Sequence, residues 1–151
     1  MQTQQVEPFY LIGIEVRTTN ENGQSGKDIP TLWQRFMSDA IMEKIPSKTN
    51  SDIICVYADY EKDHTRPYTT VLGCKVDSLD TIPPGMRGIT IGGGTYTKRV
   101  AAGNVLQKSV YNEWELIWNS TIPRTFTADF EVYGQKAWDP ENGEVEIFVA
   151  I

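Results

Sequence analysis

The order of apolar patterns along the chain constrains its fold more than any single residue does. A strand-like run, an amphipathic helix and two further strand-like runs are followed by the same order again. After five polar residues, Phe9-Tyr10-Leu11-Ile12-Gly13-Ile14-Glu15-Val16 reads as a buried strand with a polar end. The stretch 18–27 has no apolar residue and reads as a loop. Asp28 is then a natural N-cap, with Pro30 in the first turn. Ile29, Leu32, Trp33, Phe36, Met37, Ala40 and Ile41 recur at helical spacing, which predicts an amphipathic helix ending before Pro46. Two strand-like runs, 52–60 and 68–76, lie on either side of the polar turn from Glu61 to Pro67 and predict a hairpin with a longer loop.

The second half repeats the order. Pro83-Pro84-Gly85 breaks the connection 77–85, and 88–100 reads as a strand weakened by Gly92-Gly93-Gly94. Asn104 can cap a second helix with Leu106, Val110, Trp114, Ile117 and Trp118 on one face. Strands over 125–133 and 144–151 follow, joined by the turn Asp139-Pro140-Glu141-Asn142-Gly143. The expectation is an α+β fold made of two β-α-β-β repeats, about 8–78 and 86–151, within a single domain over 1–151. Its antiparallel strands and two helices would close one core, with a groove where the repeats meet. A length of 151 residues suits one domain with a sizeable core.

Composition excludes several functions. A net charge of −6 argues against direct nucleic-acid binding, which rests on lysine and arginine neutralising phosphates. Cys55 and Cys74 stand in apolar runs without metal-ligand spacing and read as small buried hydrophobes in a reducing compartment. The N-terminus lacks the basic and apolar regions of a signal peptide, and no run approaches the roughly 18 apolar residues of a membrane span. These features predict a cytoplasmic protein with no membrane association. The single histidine, His64, falls in a polar turn, so histidine triads and histidine-rich metal sites are not expected. Gly92-Gly93-Gly94-Thr95 lacks the Lys-Ser/Thr end of a phosphate-binding loop, and no helix-turn-helix fits. Neither a metal nor a cofactor is expected.

Strand parity raises one carboxylate above the rest. In the last strand Val145, Ile147, Val149 and Ile151 share a core face, opposite Glu144, Glu146, Phe148 and Ala150. In the strand before it, Phe130 and Val132 oppose Asp129, Glu131 and Tyr133. If the two pair, Glu131 and Tyr133 are expected on one face with Phe148 and Ala150. The chain has four tryptophans and seven tyrosines, more than a small core ordinarily needs. An aromatic-walled cavity with a carboxylate would bind flat, apolar cations, each ring face adding about 0.5–2 kcal/mol when desolvated.

The segment Phe126-Thr127-Ala128-Asp129-Phe130-Glu131-Val132-Tyr133, with Val145 to Ile151 after it, resembles the end of the GyrI-like domains, also called AraC-type effector-binding or small-molecule-binding domains. Ile82-Pro83-Pro84-Gly85-Met86 leading to Gly93-Gly94-Thr95-Tyr96 resembles the family's connection and central strand, and Trp118-Asn119-Ser120 also matches. The resemblance implies two β-α-β-β repeats around a pseudo-twofold axis with a ligand groove between them. It implies that Glu131, in the Phe-Glu-x-Tyr signature, anchors cationic, lipophilic ligands. The expected aromatic wall is Tyr96, Trp114, Trp118 and Phe148, with Phe36 and Trp33 behind. Many relatives place a DNA-binding domain before this one, for which 151 residues leave no room, so a stand-alone binding module is expected. The alternative is a hydrolase of strained electrophiles with Glu131 as general base. A third reading is a module that acts through a protein partner.

Overall fold

The computed structural model describes residues 2–104, 108–139 and 141–151. Eight strands form one sheet: β1 (Thr3–Val6), β2 (Phe9–Thr18), β3 (Ile53–Ala58), β4 (Tyr68–Val76), β5 (Arg87–Ile91), β6 (Gly94–Gly103), β7 (Ala128–Tyr133) and β8 (Gly143–Ala150). Helices α1 (Ser25–Ser38) and α2 (Ile41–Lys44) follow β2, and α3 (Ser109–Trp118) follows β6. The strand order, β1-β6-β8-β7-β3-β4-β2-β5, is a palindrome about the β7–β3 boundary. Exchanging β1 with β5, β2 with β6, β3 with β7 and β4 with β8 reproduces it. The two β-α-β-β repeats are therefore related by a pseudo-twofold axis, and every named pairing is antiparallel.

The palindrome includes one further strand per half: β1, which the hydrophobic pattern missed, and β5, which it joined to β6. β1 is polar and mostly exposed, and it pairs with β6 of the other half. Its counterpart β5 pairs with β2. The expected strand 88–100 is thus two strands. Gly93, at φ 78°, makes the break. A Cβ there would lie 2.6 Å from the Val6 carbonyl oxygen, so only glycine fits against the β1–β2 link.

Helix boundaries also differ from expectation. α1 starts at Ser25, leaving Asp28 inside the first turn, where its carboxylate accepts from Thr18 Oγ1 at 2.9 Å and Gln24 Nε2 at 3.0 Å. An acid there suits the helix dipole. Ala40, in the left-handed region at φ 49°, ends the helix early and places Ile41 on α2. α3 starts after Lys108 rather than at Asn104, and Leu106 lies outside the described residues.

Both faces of the sheet are apolar. On one, Ile12, Ile14, Cys55, Leu72 and Ile147 pack beneath Leu32 and Phe36 of α1 and Trp114 and Ile117 of α3. On the other, Phe9, Leu11, Val56, Val71, Tyr96, Phe130 and Phe148 form a second core. That core has no helix over it because the sheet curls into a half-barrel. Phe9 of β2 and Phe130 of β7 come within 5.2 Å, centroid to centroid, although β4 and β3 separate their strands. Gly13 and Gly73 face each other across β2 and β4, and a Cβ on Gly73 would meet the Ile12 carbonyl oxygen at 2.1 Å. Gly73→Ala is expected to destabilise the protein by about 1–3 kcal/mol, as overpacking does. Urea denaturation of both proteins measures it, and an unchanged midpoint would mean that the strands can part freely.

Candidate functional site

The helix-side face of β3 and β7 floors a cavity at the pseudo-twofold boundary. Register decides which side chains reach it. Cys55 pairs with Glu131, Ile53 with Tyr133 and Tyr57 with Asp129, so all six point toward the helices. α1 supplies Trp33 to the wall, and α3 supplies Trp114 and Trp118. The cavity measures about 220 Å³. Roughly 150 Å³ of apolar space suffices for benzene, so this one accommodates a somewhat larger aromatic group. Gly26, Pro30 and Tyr111 form an exposed rim between α1 and α3.

Glu131 is 1% exposed. Its Oε2 accepts from the Tyr57 hydroxyl at 2.8 Å and the Trp114 indole N–H at 2.5 Å, and its Oε1 accepts from the Tyr133 hydroxyl at 2.7 Å. Burial pushes the carboxyl above its ordinary value, against the opposing pull of these hydrogen bonds and that of Cys55. Burial raises Tyr57 and Tyr133 well above the usual phenol range, with the Glu131 charge adding to it, so both remain donors. Among the described residues no lysine or arginine pairs with Glu131. The floor therefore holds a carboxylate with good hydrogen bonds and no counter-charge.

A second charged group lies two residues away along β7. Asp129 is fully buried and pairs with Arg124 Nη2 at 2.8 Å. It also accepts from the Tyr60 hydroxyl at 2.6 Å and the Ala150 backbone N–H at 2.9 Å. The Arg124 side chain is only 5% exposed, and it lines the same cavity. Its guanidinium sits over the rings of Phe126 and Trp114, at 4.2 and 5.6 Å. Phe126 takes a left-handed backbone, φ 56°, strained for a bulky residue. Nε and Nη1 of Arg124 have no acceptor among the described residues. Each unmet buried donor costs about 1–3 kcal/mol, offset in part by the ring faces. Arg124 and Asp129 cancel, and Glu131 has no cationic partner among the described residues.

The structure brings together four of the residues chosen from sequence: Glu131, Trp114, Trp118 and Trp33. It separates the other three. β7 and β8 pair with Phe130 opposite Phe148 and Glu131 opposite Ile147, not with Glu131 beside Phe148 and Ala150. A one-residue difference in register moves every side chain to the other face. Phe148 and Tyr96 therefore belong to the second core, where Phe148 stacks on Phe130 at 4.7 Å. Phe36 is buried on the sheet-facing side of α1, in the core rather than in the wall. Sequence reasoning missed Tyr57, Tyr60, Tyr68 and Arg124, and it set His64 aside as a loop residue. His64 lines the cavity and stacks on Trp118 at 5.7 Å and 5°. Burial, then Arg124, lower its pKa, so the ring is neutral at pH 7. Parity along β3 could have found Tyr57; nothing local marks Arg124. No group of three or more histidine, cysteine or acidic side chains could hold a metal ion among the described residues. Nor is any helix there long and apolar enough to cross a membrane.

A palindromic antiparallel sheet with two helices flanking an aromatic cavity defines the GyrI-like, effector-binding class of fold. Within that class the chain belongs to the family described as "Cass2: Integron-associated effector binding protein", whose pattern matches residues 3–151. It is 30% identical to YobU of Bacillus subtilis over 144 residues, 92% of this chain and 89% of that one. An integron cassette protein from the mobile metagenome of Vibrio cholerae superposes with TM-score 0.76 at 26% identity, over 99% of this chain and 94% of its own. SAV2435, solved with tetraphenylphosphonium bound, superposes with TM-score 0.79 at 21% identity, over 98% and 91%. The chain is thus a small-molecule-binding protein of the effector-binding family.

Proposed function

We propose that this protein, as a single domain over 1–151, binds lipophilic aromatic cations between its two repeats, with Glu131 as the ionic anchor. The observation that carries this reading is a buried carboxylate without a counter-charge on the floor of an aromatic cavity. An isolated ionised carboxylate in such surroundings is unfavourable, and a cation with little hydration of its own relieves it. Trp33, Trp114 and Trp118 line the cavity with the aromatic rings that such ions favour. Tetraphenylphosphonium, the ligand of SAV2435, is an aromatic cation of this kind. YobU is described as a candidate transcriptional regulator, which fits a role in which ligand occupancy is read by a partner protein. The net charge of −6 weighs against direct contact with nucleic acid. Buried, free Cys55 and Cys74 suit the reducing cytoplasm.

The hydrolytic alternative would need Glu131 to activate water. Both of its oxygens already accept hydrogen bonds from the protein, and no observation favours that role over anchoring.

Calorimetric titration with tetraphenylphosphonium at two salt concentrations and two pH values tests the reading. If the anchor is buried, salt changes affinity little, because screening over about 8–10 Å acts mainly on exposed charges. Acid weakens binding. The raised carboxyl takes up a proton as pH falls, and a cation must then displace it. Affinity is expected to drop by up to tenfold per pH unit below the carboxyl's value in the free protein. A steep salt dependence without a pH effect would move the site to the acidic surface.

A further inference from the structure

Glu131 is one charged group on the cavity wall, and Arg124 is another. Its Nη2 is committed to Asp129, while Nε and Nη1 are buried without an acceptor among the described residues. Next to it stands His64, stacked on Trp118, whose Nδ1 is likewise buried and unpartnered. The His64 loop is held in place by its backbone carbonyl, which accepts from Asn20 Nδ2 at 2.8 Å. Unpartnered polar atoms of Arg124 and His64 thus stand beside a cavity whose carboxylate, Glu131, has hydrogen-bond partners on both oxygens.

We propose that Arg124, with His64 in its Nδ1–H tautomer, forms a second subsite that receives an oxygen acceptor of the ligand. This rests on the reading of Glu131 as the cation anchor and sharpens it. The preferred ligand is a planar aromatic cation that also carries a carbonyl or amide oxygen. Asp129, which holds Arg124, and Glu131 are two residues apart on one face of β7, so one ligand can meet both ends of the site.

Charge selects a neutral oxygen over a carboxylate. Arg124 is already neutralised by Asp129, so a cation on Glu131 leaves the occupied cavity neutral. An anionic group on the ligand would return a net negative charge to a dry site. A neutral oxygen satisfies buried donors without that cost. Because Nε and Nη1 lie beneath neighbouring side chains, their engagement requires a small movement of the guanidinium across the Phe126 ring.

The test compares 1-methylquinolinium with its 6-carboxamide by tryptophan-fluorescence titration. In the parent protein the amide is expected to bind about tenfold more tightly. In Arg124→Lys, which keeps a charge for Asp129 but lacks the planar donor set, that ratio should fall below threefold. His64→Phe keeps a ring to stack on Trp118 and removes Nδ1; it should reduce the ratio in part. Because the readout is a ratio within each protein, a general loss of affinity does not imitate it. Equal binding of the two compounds by the parent would overturn the subsite, as would an undiminished ratio in Arg124→Lys. Absence of binding by either compound would count against both subsite and anchor. If the ratio holds while Glu131→Gln binds 1-methylquinolinium as tightly as the parent does, the subsite stands and the anchor falls.

Discussion

Glu131→Gln is expected to weaken binding of tetraphenylphosphonium by about 30- to 150-fold, equivalent to about 2–3 kcal/mol, a moderate cost for losing one member of a buried charge pair. Glutamine preserves the volume and can still accept from Trp114 or Tyr57, so the walls should stay in place. A neutral aromatic ligand of similar size should lose less than threefold. Stability moves the other way with pH. Because the folded carboxyl is raised, by burial first, its contribution is fully present below the unfolded value near 4.5 and is lost as pH rises through the folded value. The parent should therefore lose stability across that window, and Glu131→Gln should lose less. Titration calorimetry together with thermal melts at several pH values provides both readouts. Equal cation affinity in parent and variant would remove Glu131 from the site.

The largest effect on stability is expected at the neighbouring acid. Asp129→Asn leaves Arg124, 5% exposed, without its counter-charge, and a half-removed buried pair typically costs about 3–5 kcal/mol. For a protein of this size that is a fall of about 10 °C in Tm. The amide also replaces one of the two acceptor oxygens by an NH2 group, which then faces either the Tyr60 hydroxyl or the Ala150 N–H, both of them donors. Adding Arg124→Met to Asp129→Asn should restore most of the loss, since removing both charges leaves neither uncompensated. The double-mutant cycle measures their coupling. A change below 1 kcal/mol in Asp129→Asn would show that water reaches Arg124.

The aromatic walls and the charge pair divide the labour of the cavity. Trp33 packs edge-on against Tyr133 at 4.7 Å, and Trp114 against Tyr57 at 5.4 Å, so each tryptophan steadies a tyrosine that donates to Glu131. Arg124 ties the segment before β7 to the sheet, and Thr125 N–H donates to the Ala150 carbonyl at 3.0 Å beside it. Stability and ligand recognition are thus linked through β7.

Patterns along the chain suffice for the order of the elements. Helical spacing from Ile29 to Phe36 and the strand-like run 68–76 are local consequences of which side chains must leave water, and both reappear as α1 and β4. Parity within β7 likewise puts Asp129, Glu131 and Tyr133 on one face. Pairing between strands is another matter. Both faces of the sheet are apolar, so hydrophobicity does not distinguish the register that places Phe148 opposite Phe130 from the one that would place it beside Glu131. β1 left no pattern because an exposed edge strand buries almost nothing. His64 and Arg124 stand in segments without periodicity and reach the cavity only through the curl of the sheet and the stacking of one ring on another. The sequence by itself determined the repeated elements and the side of β7 that carries Glu131, because burial along one strand is a local property. Only the tertiary structure decided which aromatics meet that carboxylate and which cation stands nearby, because those contacts depend on register and curvature between segments far apart in the chain.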